Sequence, residues 1–394
     1  MGTLRTRLVS RIVLPAALLG ALPGYAHGPH DHAEHFEVRE IATGMVDGYQ
    51  IVVADLNRDG RLDLLPVASG LDEIAWFENP GWQRHVITGN LTRPENVDVY
   101  DVDGDGSLEI GLVSGFSQAP QRSTGIVEIL SVNGDPTQPW SSREIDRLPT
   151  SHRVRWTDID GSGRKVLVNA PLAGRLAEAP DFRGATPLVY YRPGAWRREV
   201  IATNDGVVHG LYVGPREGGA GQTIITAGFA GVFAHALRTG SWQRRRVVAG
   251  KPAVWPGGGG ASEFTVLDSG AERWLATIEP WYGSELVVYR MQGADWARTV
   301  IDPGVGLGHT VLGVDLDADG SDELIVADRG DDVRGVYIYT LTQTSGASWA
   351  KEILDPDMQA SNCTAADLDG NSRVDLVCIG RATEELNWYR NTLQ

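Results

Sequence analysis

The sequence predicts an all-β fold, a seven-bladed β-propeller of four-stranded blades, on three observations. A pair of apolar strands around an Asp-rich turn recurs roughly every fifty residues. A short basic strand led by an aromatic residue recurs between these pairs. The two chain ends are in complementary phase, so together they can complete one blade and leave no open sheet edge. No stretch carries a helical period.

In chain order, the N-terminus comes first. Arg5, Arg7 and Arg11 precede an apolar stretch over 12–22 that Pro15 interrupts, and Gly24-Tyr25-Ala26 places small residues around a cleavage point. This predicts a signal peptide over 1–26 and a secreted or periplasmic protein. The apolar stretch is too short to span a bilayer well, and no other stretch is apolar enough, so no membrane span remains after cleavage. The tract HGPHDHAEH, with His27, His30, His32 and His35, is expected to be a flexible His-rich terminus over 27–35 that scavenges metal weakly. The propeller is assigned to 36–394.

Four Asp-rich turns are well preserved. They carry Asp55, Asn57, Asp59 and Asp63; Asp101, Asp103, Asp105 and Glu109; Asp315, Asp317, Asp319 and Glu323; and Asp367, Asp369, Asn371 and Asp375. A fifth turn keeps Asp158 and Asp160 but has Ser162 in place of the third acid, and two more copies keep the strands without the acid series. The spacing D-x-D-x-D-G-x-x-[DE] converges alternate carboxylates on one point, with the ninth-position acid supplied by the next strand. Hard oxygen donors in that arrangement suit Ca²⁺ in a structural role. The aromatic-led strands start at Trp82, Trp140, Trp196, Trp242, Trp296 and Trp349, with FEVREI from Phe36 as the seventh. Short strands such as IAWFE and LNWYRN precede them, which gives four strands per blade.

Aligning the innermost strands on the first turn acid and reading six residues upstream gives Tyr49, Glu95, His152, His309 and Ser361, and the apolar pattern places His209 and Glu263 at the same position in the other two blades. Three of the chain's nine histidines fall in this seven-position ring, far above chance for 394 residues. Inner strands surround the central channel, so these side chains are expected to converge there. Three imidazoles with Glu95 and Glu263 make a transition-metal set suited to Zn²⁺ or another divalent ion; a polar, water-filled lining is the other reading. Loops at the same face are expected to bring Asn169, Trp281, Tyr282, Arg329 and Arg381 to the ligand, with 170–187 as a partial lid. Aromatic and arginine side chains around a polar funnel suit a carbohydrate or small sugar, and equally a protein partner.

The formal net charge is −16, and loss of the three leader arginines takes it to about −19, which argues against a nucleic-acid partner. Cys363 and Cys378, the only cysteines, read either as a disulfide or as two buried thiols.

The Asp-rich repeats resemble the FG-GAP/VCBS class, which includes integrin α propellers and many exported bacterial proteins. The motifs SHRVRWTDIDG, VVHGLYVG and GLGHTVLGVDLDADG further resemble the propeller domain of aldos-2-ulose dehydratases and, more loosely, the propeller-type polysaccharide lyases. No cupin-like segment follows the repeats within the sequence. The resemblance implies a metal-assisted elimination from a sugar, with His152, His209, His309 and Tyr49 as ligands or catalytic groups. A non-catalytic glycan- or protein-binding module is the alternative.

Overall fold

The computed structural model describes residues 32–216, 218–253, 258–270, 272–343 and 348–393. The expected signal peptide, His27 and His30 lie outside the described residues. No helix among the described residues is long and apolar enough to cross a membrane.

Seven antiparallel four-stranded sheets form the blades. Their inner strands are Gly48–Ala54, Asn96–Tyr100, Ser151–Thr157, Val208–Pro215, Glu263–Asp268, Gly308–Val314 and Ala360–Ala366, numbered here as blades 1 to 7. Blades 1 to 6 are each built from four consecutive strands. Blade 7 takes its outer strand, Phe36–Ala42, from the chain start, pairing Phe36 with Asn391 and Val38 with Tyr389. That pairing closes the ring as the phase of the repeats requires.

Each blade interface holds its own apolar cluster. Leu65, Trp76, Ile110 and Leu112 join blades 1 and 2, for example, and Leu267, Trp274, Leu324 and Val326 join blades 5 and 6. Blades 7 and 1 meet through Val377, Ile379, Ile51 and Leu64. Tyrosines pin three interfaces: Tyr191, Tyr339 and Tyr389 donate to Asp146, Asp302 and Asp355 of the preceding blade's outer strand. A buried phenol must place its O–H, and an acid in the neighbouring blade fixes the angle between the sheets.

Cys363 and Cys378 stand directly opposite on neighbouring strands of blade 7 and form a disulfide. The tract expected to be flexible over 27–35 is anchored at its described end. His32–His35 make one 3₁₀ turn with His32 buried; the Ala33 N–H donates to Glu352, and His35 O accepts from Thr392. His85, on an outer strand, is buried, packs against Trp76 and pairs with Glu78 at 2.8 Å.

Candidate functional site

The ring residues reach the channel because of a repeated β-bulge. In blades 1, 3, 4, 6 and 7 the register shifts across Tyr49, His152, His209, His309 and Ser361, leaving each as the extra residue at the head of its inner strand. A bulge turns two consecutive side chains toward one side, where regular alternation would separate them. The residue after each bulge therefore also faces inward and forms a second tier. Gln50, Asn96, Arg153, Thr310 and Asn362 line a lower chamber of about 150 Å³ beneath the ring. Three second-tier amides stitch the strands together: Val97 N–H, Val154 N–H and Ile51 N–H donate to Gln50, Asn96 and Asn362.

Glu263 belongs to this second tier, one residue on from the ring position that sequence alignment assigned it. Ser262 N–H donates to Ile278 O while Glu263 stands opposite the same Ile278. The Ser262 carbonyl accepts from His209 Nδ1 at 3.1 Å, as the Ser361 carbonyl does from His309 Nδ1 at 2.7 Å. Gly210 permits this approach, since a Cβ there would lie 2.9 Å from Ser262 O.

At the mouth, Tyr49, Glu95, His152, Tyr282, Arg329 and Arg381 are among the residues lining a cavity of about 450 Å³. Trp281 and Asn169 do not line it. Trp281 is buried under the 172–184 segment with Leu172, Phe182 and Phe116, so it supports the cavity wall. Asn169 is fully buried within blade 3 and donates to Ser151, because it lies inside a strand and short of the loop. Leu172 of the expected lid does reach the cavity.

Arg153 was not singled out from the sequence, because alternation from His152 points it away from the channel and only the bulge brings it back. Its Nη1 donates to the Tyr49 oxygen at 2.7 Å, and its Nη2 lies 3.5 Å from Glu263. The same Tyr49 oxygen shares a hydrogen bond of 2.5 Å with His152 Nε2. His152 Nδ1 is buried without a partner. Glu95 lies 3.7 Å from the same His152 nitrogen, and Ser69 donates to its other oxygen at 3.3 Å.

Burial dominates the electrostatics. It holds His152 and His309 well below the usual imidazole range, helped by Arg153 and Arg329, so both are neutral at neutral pH. Burial also lowers His209, against the pull of Glu263. It raises the Tyr49 phenol and pushes the Glu95 carboxyl up to about 7, with Arg153 opposing. Glu263 faces the same burial, but His209 and Arg153 hold it below the ordinary range.

Two metal-binding questions have different answers. In three Asp-rich turns, Asp101, Asp103 and Glu109, then Asp315, Asp317 and Glu323, then Asp367, Asp369 and Asp375, offer ligand oxygens mutually within 4.8 Å. These groups can hold an ion such as Ca²⁺. Asp105 turns aside to Arg58 of the neighbouring loop. In the first turn Asn57 donates to Glu78, while Asp55 and Asp59 cap loop N–H groups. Among the described residues the histidine ring offers no such tight triple. Its donor chemistry nonetheless fits a metal at two positions. His209 and His309 each give Nδ1–H to a carbonyl and leave Nε2 buried and unpaired, the bracing that metal-bound imidazoles carry. His152 differs, since its Nε2 is committed to Tyr49.

Comparison with known proteins bears on both halves of this architecture. Residues 55–112 and 315–378 match the FG-GAP-like repeat. The chain carries FG-GAP-like repeats. Between them, residues 124–292 match the β-propeller domain of aldos-2-ulose dehydratase, and this segment supplies His152, Arg153, His209 and Glu263. The aldos-2-ulose dehydratase of Phanerodontia chrysosporium is 26% identical over 290 residues, 65% of this chain and 32% of that enzyme. The chain thus spans about a third of its curated relative. Among solved structures, the exotype rhamnogalacturonan lyase YesX superposes with a TM-score of 0.52 at 14% identity, covering 88% of this chain and 72% of that one. BBS1N in complex with ARL6DN gives 0.56 at 12% identity, covering 90% and 97%. At these identities the solved structures speak for the fold alone. The FG-GAP-like repeats account for the Asp-rich turns, and the dehydratase-type segment carries His152, Arg153, His209 and Glu263, while Tyr49, Glu95 and His309 lie outside it.

Proposed function

We propose that this propeller is an exported carbon–oxygen lyase that removes a β-oxygen substituent from a sugar bound at the channel mouth. The observation that carries this reading is Glu95, a buried carboxyl poised near pH 7 on the wall of the cavity, beside the bonded Tyr49–His152 pair. A carboxyl with that value is matched to taking a proton at neutral pH. The cavity volume suits one or two sugar rings. The dehydratase-type match over 124–292 supports the reaction class, and the disulfide supports an oxidising compartment.

Glu95 takes the proton from the carbon beside the sugar's carbonyl or carboxylate as the C–H electrons form the new double bond. Tyr49 gives its O–H proton to the departing β-oxygen. Arg153, already bonded to the Tyr49 oxygen, offsets the charge left there. Return of the proton from Glu95 to Tyr49 restores both groups. Neutral His152, hydrogen-bonded to Tyr49, holds the hydroxyl in place. A divalent ion held by His209 and His309 Nε2 would polarise the carbonyl and acidify the C–H.

The test is ultraviolet absorbance of the conjugated product across keto-sugars and uronate-containing glycans, with elemental analysis of the metal. Tyr49→Phe and Glu95→Gln should remove the signal while melting near wild type. His209→Ala and His309→Ala should lose any channel metal without losing the disulfide or the fold. Binding of sugars with no turnover on the whole panel would rule out the lyase and leave a binding module.

A further inference from the structure

We propose that the channel mouth contains a carboxylate subsite centred on Arg329, so that the sugar it takes is a sugar acid. This rests on reading the mouth as a sugar site. Arg329 ends the second strand of blade 6, Glu323–Arg329, and is only 7% exposed. It lines the mouth cavity, its Nε has no hydrogen-bond partner, and its guanidinium stands 5.7 Å over the Tyr282 ring. No carboxylate among the described residues pairs with it. The adjacent Asp328 is spent on its own loop, accepting from Gly306, Leu307 and Gly330 N–H.

The other cations around the mouth differ. Arg93 and Arg381 line the same cavity but are exposed, Arg381 lies 3.6 Å from Asp47, and Arg153 is committed to Tyr49 and Glu263. Of these four arginines, Arg329 is the one that is buried without an anion. The charges that press on it include Arg381 and Arg153, and burial itself disfavours its charged form. A guanidinium stays charged at any physiological pH, so an uncompensated one is costly to bury. A ligand anion would complete the site.

The wall also selects which anion. A carboxylate matches the planar donor fork of a guanidinium in a bidentate pair. Glu95 stands on the same wall, and its ionised form would repel a second ligand charge. One negative charge therefore fits better than a phosphate dianion. Tyr282, whose hydroxyl accepts from Gln118 at 2.8 Å, offers an aromatic surface to the ring that bears the carboxylate.

The experiment is calorimetric binding of D-glucuronate, D-glucose, glucose 6-phosphate and glycolate to the full chain, its Arg329→Met variant and its Arg329→Lys variant. The expected result is D-glucuronate binding at least ~10-fold tighter than D-glucose. Arg329→Met should erase that difference, and Arg329→Lys should keep part of it. Because it removes an unpaired buried charge, Arg329→Met should melt at or above wild type, which separates lost binding from lost folding. Equal binding of the two sugars, or a preference that survives Arg329→Met, would overturn the subsite while leaving the sugar reading intact. Tighter binding of glucose 6-phosphate than of D-glucuronate would overturn the carboxylate assignment. Arg329-dependent binding of glycolate with neither sugar bound would keep the subsite and sink the sugar reading. Binding of none of the four would sink both.

Discussion

Replacing Glu323 by Gln should stabilise the calcium-free protein and weaken its response to calcium. Glu323 occupies the ninth position of the blade 6 turn, is 3% exposed and accepts the Leu316 N–H at 2.9 Å. Burial pushes its carboxyl up to about 8, and Asp317, Asp319 and Asp315 add to the rise while the Leu316 bond opposes it. An acid raised in the fold binds more protons folded than unfolded, so stability falls as pH rises from the ordinary carboxyl value toward 8. At pH 7 the folded group holds its proton and the unfolded one does not. That difference costs the calcium-free fold about 3 kcal/mol as an upper bound. Gln carries no such penalty, and its carbonyl can still accept from Leu316. In chelator at pH 7 to 8 the variant should melt a few degrees higher, and near pH 4 the two should converge. Calcium reverses the comparison, because a bound cation favours the ionised ligand that the variant lacks. A tenfold loss of affinity would cut the calcium-induced gain by about 1.4 kcal/mol. Scanning calorimetry in chelator and in excess calcium reads both effects. A variant that melts lower in chelator, or that keeps the whole calcium increment, would refute the assignment of this turn.

Two further outcomes are expected. Turnover or proton-coupled binding at the mouth should increase as pH rises through about 7, where Glu95 ionises, and Glu95→Gln should flatten that profile; a rise unchanged in the variant would exclude Glu95 as the base. Alkylation of the unreduced native chain followed by intact mass should find no free thiol, since Cys363 and Cys378 are bonded, and labelling of two cysteines would contradict the pairing.

Some of this was settled by the sequence alone. The repeat of strand, Asp-rich turn and aromatic-led strand determines seven blades, because each unit can bury its apolar residues only against a neighbouring copy. The phase of FEVREI and LNWYRN determines closure, because an unpaired edge would otherwise remain. The carboxylate spacing determines the turns, because the ligands are local to one short stretch of chain. The inward position of His152, His209 and His309 could also be read, since the turn acids anchor or bracket their strands.

What only the tertiary structure decided lies where the local period breaks. A bulge adds one residue and sends two neighbours the same way, so alternation from His152 hid Arg153. In blade 5 the ring position falls on Ser262, six residues before Asp268, and the same slip puts Glu263 in the lower tier. Asn169 and Trp281 looked like loop residues, but strand length and the packing of the 172–184 segment bury them. The pairing of Cys363 with Cys378 needed the strand register. The charge of Arg329 was visible in the sequence. That no acid among the described residues pairs with it depends on all the blades that converge on the channel mouth, and no local stretch of chain encodes that.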